Sequence, residues 1–403
     1  MREVTFQATW TQENSHLQYN ISDILASPFH SFCQKIYLCF SRTMQYLNEW
    51  IGYPIHQYAK QYLVGGMRTT REEYASTTEA WIQRWEGSTS SFQDRRLRLA
   101  YEPSRVMATT PDGVRIEGTL YRTLRSPNTD IPTIICTNPN WADISREGGW
   151  NWLLDKGLRS PLPFNVIVFD FRACAGQEGE IHTPDDLILD ADTFYQFAQR
   201  ELHVSESNIH FIGFCTGAQV AVTLAALHPA SGRLVSQNST YNLGELMHKS
   251  PFIQEEAERN GTSCFCIMKE LVRAYIKWSG WAMDVTKVLN EIHDRTLFLN
   301  HAEDRFVIPD LHARNAVDPD RTAYAASLRT KPTVEMRDPD YVAHWMPPFL
   351  CEDETGLSAT KKIVNFILGQ DLFARTENPA LRNHYIVHGH RNRLSDIELV
   401  RIA

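Results

Sequence analysis

A Gly-x-Cys-x-Gly motif at residues 213–217 is the part of this 403-residue chain whose residue types and spacing best suit chemistry. The run 208–212 before it is strand-like, and the Ala, Val and Leu residues of 218–227 have the length of a helix. Cys215 is therefore predicted to lie in a sharp turn between a strand and a helix, where glycines avoid crowding the neighbouring elements. The positive end of that helix favours a thiolate, which makes Cys215 a candidate nucleophile.

Two later loops carry groups that could activate such a thiol. One loop follows a predicted strand at 296–300 and carries the carboxylates Glu303 and Asp304, and the other follows a predicted strand at 333–336 and carries the imidazole of His344. A thiol, an imidazole and a carboxylate together suit covalent acyl transfer, because the thiol can attack a carbonyl carbon while the imidazole holds the thiol proton and the carboxylate orients the imidazole. The covalent intermediate of such a reaction is a thioester.

The motif, and the order of thiol, carboxylate and imidazole along the chain, resemble the α/β-hydrolase superfamily, whose usual nucleophile motif is Gly-x-Ser-x-Gly. A smaller branch of that superfamily, which includes the dienelactone hydrolases, has cysteine at this position. The resemblance implies that Cys215 is the nucleophile, Asp304 the acid and His344 the base. The resemblance covers about residues 103–369 and implies an α/β fold with a mostly parallel central sheet flanked by helices. It also implies a helical cap insert at about 241–293 over the nucleophile.

The segment 165–176 resembles the superfamily as well, because its Asp-Phe-Arg-Ala-Cys-Ala-Gly sequence is similar to the Asp-Tyr-Arg-Gly-x-Gly-x-Ser of superfamily members. Asp170 and Arg172 are predicted to hold this loop near the site by hydrogen bonds. Cys174 is a rival nucleophile, but it lies in a turn with no helix start directly after it. In the acid loop, Glu303 is the competing carboxylate.

Superfamily members place half of the oxyanion hole in the loop after the strand that corresponds to 133–136. Their loop usually reads His-Gly-x, whereas this chain has Asn-Pro-Asn. Because Pro139 has no N–H, the donor must come from Asn140 or Trp141, and the sequence does not choose between them. The other predicted donor is the backbone N–H of Thr216, directly after the nucleophile.

Residues 1–102 precede the alternating strands and helices. Apolar side chains recur every three or four residues from Phe29 to Ile51, which predicts one long helix. We interpret 1–102 as a helical N-terminal extension that packs on the catalytic body, the alternative being a surface for a membrane or a partner. The polar C-terminal tail, 370–403, carries spaced histidines without a cysteine or an intervening carboxylate, so no metal site is predicted there.

Composition and charge exclude several classes of partner. The formal net charge is -8, and the charged residues are interspersed along the chain without a basic cluster, which predicts no nucleic-acid partner. No apolar run approaches the roughly 20 residues that span a bilayer, and the first residues lack a signal-peptide pattern, so we expect a cytoplasmic protein without an integral membrane segment. The eight cysteines show no close-spaced disulfide or zinc pattern. Neither a metal nor an organic cofactor is expected.

The sequence therefore predicts a cysteine-type hydrolase that cleaves an ester, thioester or lactone of a small-molecule acyl substrate. An acyltransferase or cyclase on the same three residues is the alternative, because a cap that excludes water would favour another acceptor. A third hypothesis is a non-catalytic binding protein that retains the fold. The residues do not indicate the substrate's identity or the oligomeric state.

Overall fold

The computed structural model describes residues 3–7, 99–126, 130–139, 150–174, 177–250, 273, 276, 281–318, 324–332, 334–336, 343–369, 384–388 and 398–402. The predicted helix at 29–51, the two candidate donors Asn140 and Trp141, and the middle of the predicted cap lie outside these residues.

The described strands and helices alternate through the middle of the chain. The strands are β1 (Glu3–Gln7), β2 (Tyr101–Thr109), β3 (Arg115–Thr123), β4 (Thr133–Thr137), β5 (Asn165–Phe169), β6 (Ile209–Phe214), β7 (Leu234–Gln237), β8 (Thr296–His301), β9 (Tyr324–Thr330), β10 (Val334–Met336), β11 (Cys351–Asp353), β12 (His384–His388) and β13 (Glu398–Ile402). The helices are α1 (Asn151–Arg159), α2 (Pro184–Arg200), α3 (Thr216–Leu227), α4 (Leu243–Lys249), α5 (Thr286–Ile292) and α6 (Ala359–Leu368).

Within the described residues, ten strands form the central sheet, in the order β1-β2-β3-β5-β4-β6-β7-β8-β9-β11. The strands from β5 to β9 in this order pair in parallel, whereas β3 is antiparallel to both β2 and β5. Every residue of β4, β5, β6, β7 and β8 is buried. Such uniform burial is expected where helices cover both faces of a parallel sheet.

Two apolar clusters fill the layers on either side of the sheet. Helices α2, α3 and α5 pack on one face, and α1 and α6 pack on the other. The first layer contains Leu187, Phe194, Val220, Leu224, Leu289 and Ile292, and the second contains Leu153, Leu154, Ile363, Val364 and Ile367. Helix α2 begins with Pro184 at its first position and has two aspartates in its first turn, both of which favour a helix start.

A mostly parallel sheet between two helical layers, with a strand, a Gly-x-Cys-x-Gly turn and a helix at its centre, is the α/β-hydrolase arrangement. The predicted mostly parallel central sheet flanked by helices is therefore confirmed. Among the helices that the structure describes, none combines the length and the apolar character needed to cross a bilayer.

The structure differs from the sequence predictions at the ends of the chain and before the histidine loop. Glu3–Gln7 lies in the stretch predicted to be helical, yet it is a strand that pairs in parallel with β2. The predicted strand at 333–336 forms as β10, but it pairs with β12 in a separate three-stranded sheet. The central-sheet strand that precedes His344 is instead β9, whose alternating burial marks a half-exposed strand near the edge.

Helices lie near both ends of the predicted cap insert. α4 occupies Leu243–Lys249 and is capped by Asn242, whose side chain accepts a hydrogen bond from the backbone N–H of Glu245. α5, near the other end of the insert, starts at Thr286. Asp284 accepts a hydrogen bond from the N–H of Thr286 and ends the preceding loop.

Arg172 fixes the loop after β5 from inside the protein, as predicted. Its side chain is buried and bonds Asp190 on α2 through Nε (2.8 Å) and Nη2 (2.7 Å), and Asp112 in the β2–β3 turn through Nη1 (2.6 Å). The backbone N–H of Arg172 also donates to Asp190 (2.8 Å). Burial outweighs the arginine and raises the pKa of Asp190 to about 7, so the Asp190 carboxylate depends on Arg172 for its charge.

We predict that Arg172→Met lowers the free energy of unfolding by about 3–5 kcal/mol at pH 8, because the charge of Asp190 is left buried without a cation. The loss is smaller at pH 5, since a carboxyl with a raised pKa can take up a proton and become neutral as the pH falls. Urea unfolding at both pH values measures the loss in the free energy of unfolding. In Arg172→Met/Asp190→Asn no buried charge remains, so this double variant should recover most of the loss, and equal stability of the two variants would contradict the explanation.

Candidate active site

Cys215 occupies a strained turn between β6 and α3. Its backbone has φ 53° and ψ −121°, a left-handed conformation that side chains other than glycine seldom adopt. The N–H of Cys215 donates to the carbonyl of Gln237 on β7 (2.9 Å), which holds the turn against the neighbouring strand. The thiol is therefore carried at the carboxyl end of the sheet and at the N-terminus of α3.

The two glycines of the motif allow α3 to begin directly against the sheet. A Cβ on Gly217 would lie 2.3 Å from the carbonyl oxygens of Thr137 and Asn138, and a Cβ on Gly213 would lie 2.4 Å from Cα of Ala218. All of these contacts are with backbone atoms, which cannot move aside as a flexible side chain can. The motif's spacing thus follows from the close approach of helix and strand.

Asp304 and His344, predicted from separate loops, meet in the structure. His344 Nδ1 lies 2.7 Å from Asp304 Oδ2, and both side chains are fully buried. The other oxygen of Asp304 accepts the backbone N–H groups of Phe306 (2.8 Å) and Val307 (2.9 Å). These bonds fix the carboxylate, so that Nδ1 of His344 carries the proton and Nε2 is left for the thiol.

Cys215 interacts electrostatically with the His344 side chain, whose Nε2 is buried. Burial alone would lower the pKa of His344, but the charges of Asp304 and Cys215, together with the hydrogen bond to Asp304, outweigh burial and raise this pKa above its usual range. The hydrogen bond between His344 and Asp304 thus joins two of the three predicted residues, and the third acts on the same imidazole.

Two aromatic rings enclose the imidazole. Phe214, directly before Cys215, stacks on His344 with ring centroids 5.3 Å apart, and Phe306, two residues after Asp304, lies at 4.8 Å. Aromatic faces attract a cationic ring and exclude water from it. Neither phenylalanine was predicted from the sequence, although one is adjacent to Cys215 and the other is two residues from Asp304.

The structure describes one of the three predicted oxyanion donors. Thr216 is the first residue of α3, so its N–H has no acceptor within the helix. Its hydroxyl lies 3.9 Å from the Cys215 sulfur. Asn140 and Trp141 lie outside the described residues, so the choice between them stays a prediction.

The loop that would carry the second donor is anchored through Asn138. The Asn138 amide donates to Asp170 (2.6 Å) and to the carbonyl of Phe169 (2.8 Å), and its oxygen accepts the indole N–H of Trp150 (2.8 Å). Asp170 thus contributes to holding this loop, as the sequence predicted. Sequence reasoning missed Asn138 itself, although its place directly after a buried strand was a usable signal.

Glu303, the alternative acid, has a different place from Asp304. Glu303 is exposed, and its backbone N–H donates to Nδ1 of His301 (3.2 Å). His301 is the last residue of β8 and bonds Thr330 through Nε2 (3.2 Å). The carboxylate bonded to His344 is that of Asp304. Cys174, the rival nucleophile, lies in the turn after β5, where its N–H donates to the carbonyl of Phe171 (3.0 Å).

Among the residues that the structure describes, no group of three His, Cys, Asp or Glu side chains could hold a metal ion. The histidines of the tail lie in β12 or outside the described residues, and the structure leaves their metal binding untested.

Comparisons with known proteins give distant likenesses. No family model matches the chain. The uncharacterized protein R595 of Acanthamoeba polyphaga mimivirus is 30% identical over 122 residues, which are 28% of this chain, and the match spans only 39% of that protein.

Among solved structures, the Pyrococcus furiosus esterase Pf2001 is 19% identical, with 60% of this chain and 85% of that chain covered and a TM-score of 0.41. Acetyl xylan esterase 1 from Thermoanaerobacterium sp. is 15% identical, with 68% and 93% covered and a TM-score of 0.41. Because these sequence identities and TM-scores are low, the fold assignment rests on the strand order and the cysteine turn described above.

We predict that Gly217→Ala disrupts the site and lowers the free energy of unfolding by about 3 kcal/mol or more, because the added Cβ overlaps two carbonyl oxygens. Thermal and urea unfolding measure the change. Gly356→Ala is the matched control, since a Cβ there meets nothing within 4 Å and only its left-handed φ of 79° is strained. That control should cost about 1 kcal/mol. Similar losses for both variants would show that the close helix approach is not the constraint.

Proposed function

We propose that this chain is a cysteine hydrolase that cleaves an ester, thioester or lactone through a thioester acyl-enzyme. The observation that carries the proposal is the buried hydrogen bond from His344 to Asp304, with the charge of Cys215 also acting on the imidazole. A buried imidazolium beside a thiol at a helix N-terminus favours the thiolate, which is the nucleophilic form of cysteine.

In the proposed reaction, the Cys215 sulfur attacks the carbonyl carbon of the substrate and the carbonyl electrons move to its oxygen. When this oxyanion collapses, the bond to the leaving group breaks, and the leaving group takes the proton of His344 Nε2. A water molecule then gives a proton back to Nε2 and attacks the thioester carbon, which releases the acid and the thiolate. Asp304 keeps the imidazole in one tautomer through both steps.

The oxyanion would receive the N–H of Thr216 and a second N–H from the loop after β4. Each such donor is worth about 3 kcal/mol of transition-state stabilisation. The bonds from Asn138 to Asp170 and Trp150 support the proposal, because they hold the start of that loop beside α3. A fixed loop needs no reorganisation when charge develops on the substrate oxygen.

The surroundings of the thiol favour an apolar acyl group. Cys215, Phe214 and Met346 belong to one buried apolar cluster, and Phe306 packs against it. Burying a charged acyl group among such side chains without a partner costs several kcal/mol. We therefore propose a neutral, apolar acyl portion for the substrate. A cytoplasmic location is also proposed, because the mechanism needs a reduced thiol.

Acyl transfer to an acceptor other than water is the second candidate. It is favoured by the complete burial of Asp304 and His344, since a site closed to water lengthens the life of a thioester. Product analysis of the same reaction with and without an added amine or alcohol acceptor distinguishes hydrolysis from transfer.

Cys215→Ala is expected to reduce turnover of short p-nitrophenyl esters by at least about 10³-fold, because the covalent route is lost. Its unfolding midpoint should stay close to that of the wild type. Cys215→Ser should keep measurable turnover, since the same turn accepts a hydroxyl nucleophile. More than about a tenth of wild-type turnover in Cys215→Ala would rule out covalent catalysis at this residue.

Labelling with a limiting dose of iodoacetamide separates an enzyme from a binding protein that retains the fold. Cys215 should be labelled in preference to the other seven cysteines, of which Cys136 and Cys351 are buried with pKa values raised by that burial. Equal or absent labelling at Cys215 would favour the binding protein.

Asp304→Asn is expected to lower kcat by about 10²- to 10⁴-fold with little change in KM, because the imidazole loses its orienting charge. The pKa of His344 is raised by Asp304, so without this charge the imidazolium deprotonates at a lower pH and the alkaline limb of the pH–rate profile should move down by about one unit or more. Glu303→Gln, the neighbouring control, should change kcat by less than about 3-fold. The reverse ranking of the two variants would place the acid at Glu303.

A further inference from the structure

Gln237, the last residue of β7, and Asn238, the residue after it, contact the backbones of all three segments that carry the proposed triad. The carbonyl of Gln237 accepts the N–H of Cys215 (2.9 Å). The next residue, Asn238, accepts the N–H of His301 at its side-chain oxygen (3.0 Å) and donates its amide N–H to the carbonyl of His344 (2.7 Å). One side chain therefore bridges the start of the acid loop and the histidine itself.

Asn238 is held in an unusual backbone conformation that makes this bridge. It is only 1% exposed, and its φ is +46°, in the left-handed region that asparagine adopts more readily than most residues. Its own N–H donates to the carbonyl of Leu299 on β8 (2.7 Å). The chain thus turns immediately after β7, and both polar atoms of the side chain are used.

These hydrogen bonds form a closed circuit that also includes the bonded pair of Asp304 and His344. His301 accepts the N–H of Asp304 at its carbonyl (3.1 Å), so anchoring His301 also anchors the turn that carries the acid. On the other side, the backbone of His344 is bonded to Asn238 while its ring is bonded to Asp304. Two sets of contacts therefore fix the separation of the acid and histidine loops. One is the hydrogen bond from the His344 imidazole to Asp304, and the other is the pair of hydrogen bonds made by the Asn238 side chain.

We propose that Asn238 is a positioning residue that sets the spacing of the acid and histidine loops and thereby aligns His344 with Cys215, an inference that rests on the proposed function. The position needs a donor toward one carbonyl and an acceptor toward one N–H, which an amide supplies on a single rigid group. An aspartate of the same shape supplies acceptors only, and would place a second negative charge beside Asp304.

Two substitutions test this role. Asn238→Gly removes the amide but tolerates the left-handed backbone, and Asn238→Asp keeps the shape but loses the donor. The matched control is Asn165→Asp. Asn165 is also a buried asparagine that joins two strands, accepting the N–H of Thr123 (3.0 Å) and donating to Thr133 (3.2 Å), but it lies at the opposite end of the sheet.

Both Asn238 variants are expected to lower kcat for p-nitrophenyl acetate by about 10- to 100-fold, with KM changed by less than about 3-fold, because a shift of about 1 Å misaligns the reacting groups. The rate of alkylation of Cys215 by iodoacetamide should fall by about 3-fold or more, since a misplaced imidazole activates the thiol less. Asn165→Asp should lower the unfolding midpoint and leave both quantities unchanged.

Assays are made well below each variant's unfolding midpoint, and Asn238→Asp decides the question if the glycine variant does not fold. Wild-type kcat and alkylation rate in a folded Asn238 variant, beside an inactive Cys215→Ala, would overturn the positioning role alone. Retained turnover in Cys215→Ala would instead overturn the proposed function and the positioning role with it. A purely structural asparagine would behave as Asn165 does, with lower stability and unchanged kcat and alkylation rate.

Discussion

The close approach of α3 to the carboxyl ends of β4 and β6 is the constraint on which the site depends. With backbone carbonyls 2.3 Å from the place where a Cβ of Gly217 would be, the helix can begin there only if that residue has no side chain. The chain must then reverse within one residue, which places Cys215 in a left-handed conformation and projects its side chain from the turn. Strain at Cys215 is thus a consequence of packing, and the hydrogen bond from its N–H to the neighbouring strand keeps the turn in place.

Arg172 and His344 are both buried in surroundings of low polarity, but their neighbours give them different roles. Arg172 is surrounded by carboxylates from a turn and from α2, so its charge is neutralised and serves to fix a loop. His344 has one carboxylate, a thiol and two aromatic rings around it, so that its proton is stabilised but remains next to a group that can exchange it. The number and kind of neighbours, rather than burial alone, separate a structural ion from a reactive one.

Sequence reasoning was sufficient where a local pattern determines the structure. The strand, turn and helix around Cys215, the acid after β8 and the order of the three groups all follow from short-range signals, and the structure brings these groups together. It was insufficient where pairing is non-local. Nothing within 333–336 indicates that this strand joins β12 instead of the central sheet, and nothing near Glu3–Gln7 indicates a partner about a hundred residues away.

The two asparagines that sequence reasoning missed occupy the same position in the fold as two residues that it predicted, and that position is itself informative. Asn138, Asp170, Cys215 and Asn238 are each the first residue after a parallel strand, namely β4, β5, β6 and β7. The carboxyl ends of parallel strands meet at one edge, and there the sheet's hydrogen bonding stops while the backbone is still buried. A side chain at this position must satisfy backbone groups of the adjoining loops, and asparagine can donate and accept at once. The need to hydrogen-bond the backbone groups at this edge of the sheet therefore places polar side chains around the thiol. For this reason a structural requirement and a candidate site for chemistry coincide at the same edge.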